Sequence, residues 1–197
     1  MITNTDRSGY FGASDVKTIM GNWQTETFAK WWMVKEGLVK NEFVTDAMMA
    51  GTYWEHRILE ALELPMKFDR QIIIEPLKLR VNLDGETDTA IYECKTYKWE
   101  NGFKVPKHYI QQVNVQMFAT GKRSAYIVAY GLVEDDYKNY YLPVDLNRLE
   151  LHEIKYDEKW VNEDYLPRLE YLARCLTEGE FPMKVFENGK RNRNKRN

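Results

Sequence analysis

The sequence predicts a mixed α/β domain of the α+β kind, with one central mixed β-sheet flanked by helices. Three observations carry that prediction. Before residue 65 apolar side chains recur at intervals of three and four, the spacing of a helix face. Beyond it they alternate with polar ones, the spacing of a strand. No internal repeat or long linker divides the 197 residues, and 44% hydrophobic side chains suffice for one core. A single domain over residues 1–181 is expected, followed by a basic, flexible tail over 182–197.

In chain order, Ser14 is placed to cap a first helix running towards Met20, and "TETFAKWWMVKEGL" and "TDAMMAGTYWEHRILEALEL" continue in helical composition. The period then changes. "RQIIIE" (70–75), "LKLRVNL" (77–83) and "AIYECKTY" (90–97) read as strands, the second alternating Leu79, Val81 and Leu83 with Lys78, Arg80 and Asn82. "KHYIQQVNVQMFATG" reads as a helix that Gly121 stops. "SAYIVAYG", "YKNYYLPV" and "LELHEIKY" are expected as further strands. A long amphipathic helix over 157–178 follows, with Pro167 placed to kink it.

Cys94 and Cys175 are the only cysteines, too few for a disulfide framework, a four-cysteine zinc site or an iron–sulfur cluster. His56, His108 and His152 share no metal-ligand spacing and read as structural. Trp31, Trp32 and Trp54 sit at helical spacing and read as core. The net charge is −2, yet "KRNRNKRN" ends the chain with Lys190, Arg191, Arg193, Lys195 and Arg196. Setting those five aside leaves 23 of the 28 basic residues against 30 acidic ones, so the body is acidic. That argues against indiscriminate coating of nucleic acid and leaves room for a local basic channel. With neither an export signal nor an apolar run of membrane-spanning length, no membrane association and a cytoplasmic location are expected.

The chemistry concentrates in "LDGETDTAIYECKT", residues 83–96. Ile91, Glu93 and Lys95 share one strand face, because side chains alternate with period two. The Asp84–Gly85 pair is expected to begin a turn that returns the chain antiparallel and sets Asp84 beside Glu93. Asp88 is a spare acid in the same turn. Two carboxylates and an ammonium converging on a hairpin edge suit metal-assisted phosphodiester hydrolysis, in which hard oxygen ligands hold Mg²⁺ and a lysine orients the nucleophile or offsets negative charge. Taken alone, the same residues also fit a surface ion pair.

The surroundings weigh against the surface reading. "LDG" followed by "ECK" resembles the core motif of the PD-(D/E)XK nuclease superfamily, with Asp84, Glu93 and Lys95 as its D, E and K and Leu83 where a proline is usual. "GTYWE" matches the helical G-x-x-x-E that places Glu55, and "YIQQVNVQM" is similar to the Tyr-x-x-Gln helix that places Tyr109 and Gln112. "RSGYFGAS" keeps an arginine seven residues before a serine. Together these resemble the phage-type exonucleases of the lambda exonuclease and YqaJ group over residues 7 to 130.

That resemblance implies a restriction-endonuclease-like core and a Mg²⁺-dependent 5′-to-3′ exonuclease on double-stranded DNA, with Mn²⁺ able to substitute, leaving 3′ single strands for recombination. Metal would be held by Glu55, Asp84, Glu93 and the backbone carbonyl of Cys94. Lys95, Gln112 and Tyr109 would act at the water and the scissile phosphate, and Arg7 and Ser14 would receive the 5′-phosphate. It also implies a ring-shaped trimer working beside a single-strand annealing recombinase, in a bacterial or phage-infected cell. Two other readings stay open: an endonuclease of restriction or RecB-like type, and a DNA-binding module that no longer cuts.

Overall fold

The computed structural model describes residues 8–40, 45–184 and 186. A five-stranded mixed sheet runs in chain order: β1 (Lys67–Ile74), β2 (Leu79–Glu86), β3 (Ala90–Lys98), β4 (Ser124–Leu132) and β5 (Leu149–Lys155). Neighbours are antiparallel except β3 and β4, which run parallel from Ala90↔Ser124 to Lys98↔Leu132. A parallel pair needs a crossover, and α4 (Lys107–Thr120) supplies it. Gly121, in the left-handed conformation at φ 74°, ends that helix as expected.

Helices cover both faces. On one lie α1 (Val16–Ile19), α2 (Glu26–Lys35), α4 and α7 (Leu166–Glu178), packed on Leu79, Val81, Leu83, Ile91 and Ile127. On the other lies α3 (Asp46–Glu60), whose Ala50, Trp54, Ile58 and Leu59 meet Tyr92, Cys94, Val128 and Tyr130. The period-two rule therefore sorts β3: Ile91 faces the α4 layer, and Tyr92 and Cys94 face α3. Trp32 and Trp54 are fully buried, as their spacing predicts. Thr25 and Thr45 cap α2 and α3, accepting the N–H groups of Phe28 and Met48.

Three local expectations are corrected. Asp84 and Gly85 do not begin the turn; both lie inside β2, and the chain reverses at Thr87–Thr89, where Thr87 N–H donates to the Ala90 carbonyl. Gly85 serves close packing, since a Cβ there would stand 3.1 Å from Met66 Sδ and 3.2 Å from Leu59 Cδ1. "YKNYYLPV" forms no strand. A short helix, α5 (Glu134–Lys138), precedes irregular chain whose Tyr140 and Leu142 carbonyls accept from the Arg57 guanidinium, while Tyr137, Tyr140, Leu142 and Val144 pack under α3. Side-chain burial and an arginine thus replace the expected ladder. In the C-terminal stretch, α6 (Glu158–Trp160) widens into a π turn over Val161–Tyr165 before α7, so the irregularity precedes Pro167, which sits in the first turn of α7.

The far end of the β2–β3 hairpin is tied by Glu86, which is 2% exposed and accepts from Arg70 at 3.0 Å and lies 3.1 Å from the Lys122 ammonium. Burial works to raise its carboxyl, yet the bonds and charges of Arg70 and Lys122 outweigh it and hold the group below the usual glutamate range. A depressed folded pKa stabilises above the unfolded value and loses that contribution as pH falls through the folded one. Glu86→Gln is therefore expected to cost about 1.5–3 kcal/mol near neutrality, the usual worth of a hydrogen bond to a charged group. Melts against pH should show the gap to wild type closing as the solution becomes acidic.

Candidate active site

β2 and β3 pair only at Gly85↔Tyr92 and Glu86↔Ile91, although β2 stays in register with β1 as far as Leu79. Beyond Gly85 the two strands part. In place of a ladder bond, Asp84 Oδ2 accepts the Cys94 N–H at 2.9 Å. This split in the sheet lets groups from opposite layers meet: Glu93 and Lys95 from the α4 face, Asp84 at the gap, and Glu55 from α3 on the other side. Gly51, one turn before Glu55, faces β3, where a Cβ would lie 3.4 Å from Thr96 Oγ1, in ordinary contact.

Glu93, 3% exposed, is the hub. Its Oε1 accepts from Lys95 Nζ at 2.5 Å and from Gln112 Nε2, and its Oε2 accepts from Gln116 Nε2. The Tyr109 ring centroid lies 5.0 Å from the Lys95 ammonium, a cation–π arrangement. The residues the motif spacing singled out, Asp84, Glu93, Lys95, Tyr109 and Gln112, are thus brought together. Gln116 was missed. Its signal was the interval of seven from Tyr109 and four from Gln112, which sets all three on one stripe of α4.

The electrostatics show a site short of positive charge. Burial pushes the Asp84 carboxyl well above the ordinary range, and Glu93 and Glu55 push it further, against Lys95 and the Cys94 N–H. Glu55 is raised for the same reasons, burial first and then Glu93. Burial would lower Lys95, but Glu93 and Asp84 prevail and hold its ammonium firmly protonated. One lysine does not balance three carboxylates, and carboxylate oxygens are hard donors of the kind that suit Mg²⁺ or Mn²⁺. Burial, Asp84 and Glu55 drive the Cys94 thiol well up, so it is neutral and no nucleophile.

Glu55 also belongs to a trio with His56 and Asp69 whose ligand atoms lie within 4.8 Å of one another, and His56 Nε2 is 3.1 Å from Asp69 Oδ2. Asp88 stands away from the site, 95% exposed and facing Lys67, so Asp84 keeps the place of the motif's aspartate.

The N-terminal pair fares differently. Arg7 lies outside the described residues. Ser14 is exposed and makes no cap: Gly12 holds the N-cap position of the opening turn, and its N–H donates to Asp15 Oδ2 at 2.7 Å. Asp15 takes over because its carboxylate is fixed by the buried Lys35 ammonium at 2.6 Å and by Trp31 Nε1 at 2.9 Å. The turn nevertheless packs against α4, and Lys17 in α1 lies close enough to His108 to help burial lower its pKa.

Fold and site together define a nuclease of the PD-(D/E)XK class. The chain belongs to the YqaJ-like viral recombinase domain family, whose sequence model matches residues 4–123. No curated protein matches it. Among solved structures, an alkaline exonuclease (LHK-Exo) from Laribacter hongkongensis is similar with TM-score 0.65 at 20% identity, over 88% of this chain and 90% of that one. The same enzyme in complex with dAMP gives 0.66 at 21%, over 88% and 90%. A phage related exonuclease from Haemophilus somnus 129PT gives 0.57 at 12%, over 87% and 96%. At these identities the likeness is one of fold. No helix among the described residues is long and apolar enough to cross a membrane.

Proposed function

We propose that this protein is a Mg²⁺-dependent deoxyribonuclease that digests linear duplex DNA from its 5′ ends and leaves 3′ single strands for recombination. The observation that carries the reading is the electrostatic coupling of Glu55, Asp84 and Glu93 around one protonated lysine beside the split between β2 and β3. Glu55, Asp84, Glu93 and the Cys94 carbonyl would hold Mg²⁺ or Mn²⁺. When bound, the metal polarises the scissile phosphate and lowers the pKa of water. Lys95, kept charged by its neighbours, orients the attacking water and offsets negative charge developing on phosphate; it has no free pair with which to act as a base. Tyr109 holds that ammonium in place, and Gln112 steadies Glu93. Capture of dAMP, a deoxynucleoside monophosphate, by the related alkaline exonuclease supports a nucleotide-releasing site.

End recognition is assigned to Arg7 and Ser14, the exposed hydroxyl on the turn against α4. A guanidinium fork would supply charge-assisted bonds to a 5′-phosphate. The family's ring-shaped trimer and its annealing recombinase complete the proposal: the trimer would thread the duplex and the recombinase would take the 3′ strand.

The test is digestion of linear and closed circular duplex in Mg²⁺ and in chelator, with 5′-phosphate and 5′-hydroxyl ends. Linear DNA should vanish only with Mg²⁺, circles should survive, and phosphorylated ends should be cut roughly tenfold to a hundredfold faster, the worth of one hydrogen bond to a charged group. Opening of circles as fast as digestion of linear DNA would select the endonuclease reading. Absence of any cleavage would leave a DNA-binding module.

A further inference from the structure

Two amides of α4 divide one carboxylate. An ionised carboxylate offers about four lone-pair positions, two on each oxygen. Glu93 Oε1 receives Lys95 Nζ and Gln112 Nε2, which fill its two positions. Among the described residues Oε2 receives Gln116 Nε2 alone, which leaves one position open.

Gln116 is 0% exposed, and its Oε1 has no hydrogen-bond partner among the described residues. Its Nε2 also lies 3.4 Å from the Asn82 carbonyl. Turning the amide over would set its oxygen against Glu93 Oε2 and against that carbonyl, so only one orientation serves. A buried acceptor without a donor is costly, and a position that mattered for packing alone would be filled better by leucine or methionine. What the amide provides in return is control over one oxygen of Glu93.

Resting on the nuclease reading above, we propose that Gln116 is a positioning residue: by occupying one lone pair of Glu93 Oε2, it aims the other at the divalent cation. Oε1 is saturated by Lys95 and Gln112, so Oε2 is the metal-facing oxygen, and Gln116 sets the plane in which it points. Partners that orient a ligating carboxylate in this way are worth about 10- to 100-fold in metal affinity or activity.

The experiment measures Mn²⁺ binding to the full chain by calorimetry, for wild type, Gln116→Met and Gln116→Asn, with the Mg²⁺ dependence of cleavage in parallel. Methionine keeps the volume and removes the amide; asparagine keeps an amide but withdraws it by one methylene, and serves if the methionine variant fails to fold. Both variants should bind Mn²⁺ about tenfold or more weakly. Both should need correspondingly more Mg²⁺, keep the wild-type KM for DNA, and recover kcat as Mg²⁺ is raised. Mn²⁺ affinity and Mg²⁺ requirement within about twofold of wild type would make Gln116 a packing residue and overturn the proposal. If wild type itself neither binds Mn²⁺ nor cuts, the nuclease reading fails as well, and the two failures are told apart by the wild-type control.

Discussion

Asp84→Asn is expected to lose cleavage by roughly a thousandfold or more, while the metal-free protein becomes more stable. Polarisation of phosphate and water by a held metal is worth several kcal/mol, and about 4 kcal/mol is a factor of a thousand in rate. The opposite sign for stability follows from crowding. Asp84 carries a raised carboxyl because burial, Glu93 and Glu55 all oppose its charge. A raised folded pKa leaves stability intact below the unfolded value and erodes it as pH climbs towards the folded one, so above the unfolded value the buried carboxyl is a liability. Asparagine removes the charge and keeps an oxygen for the Cys94 N–H. Relief of about 1 kcal/mol would lift the melting temperature by about 2–4 °C in chelator. A nuclease assay beside thermal melts checks both halves, and an active variant would remove Asp84 from the site.

Lys95→Met should show the reverse combination in stability. The ammonium is the nearest counter-charge to Glu93, at 2.5 Å, and removing it leaves a buried carboxylate to two amides. A metal-free loss of about 1–3 kcal/mol is expected, the penalty for stranding one partner of a charged bond. Cleavage should fall by roughly 10²–10³, as when one donor aimed at developing charge is removed. Melts that drop in chelator, recover partly in Mg²⁺, and accompany lost cleavage would fit; near-normal cleavage would show that the lysine only balances charge.

Much of this was legible because it depends on short-range periodicity. Alternation placed Glu93 and Lys95 on one face, and a spacing of three placed Tyr109 and Gln112 on one stripe. The fold class followed from the change of period near residue 65. What escaped depends on partners distant in sequence. That Asp84 stays inside β2 is decided by a split between strands, which no hydrophobic pattern encodes. Tyr137 to Val144 are rich in aromatic and apolar side chains and read as a strand, but they are claimed by Arg57 and by the underside of α3, about 80 residues away. Ser14 has good cap chemistry, yet Asp15 wins because Lys35 and Trp31 hold its carboxylate. Gln116 was overlooked because a glutamine on a helix looks like solvent-facing polarity until its burial is known.

Whether the carboxylates at the strand split hold a divalent cation is read from the shift in melting temperature that Mg²⁺ causes in wild type and in Asp84→Asn. A ligand bound to the native state at a hundred times its Kd stabilises by about 2.7 kcal/mol. Wild type should therefore melt several degrees higher in Mg²⁺ than in chelator, and Asp84→Asn, starting from a higher melting temperature, should gain little. A wild type indifferent to Mg²⁺, or a variant that gains as much as wild type, would contradict the site.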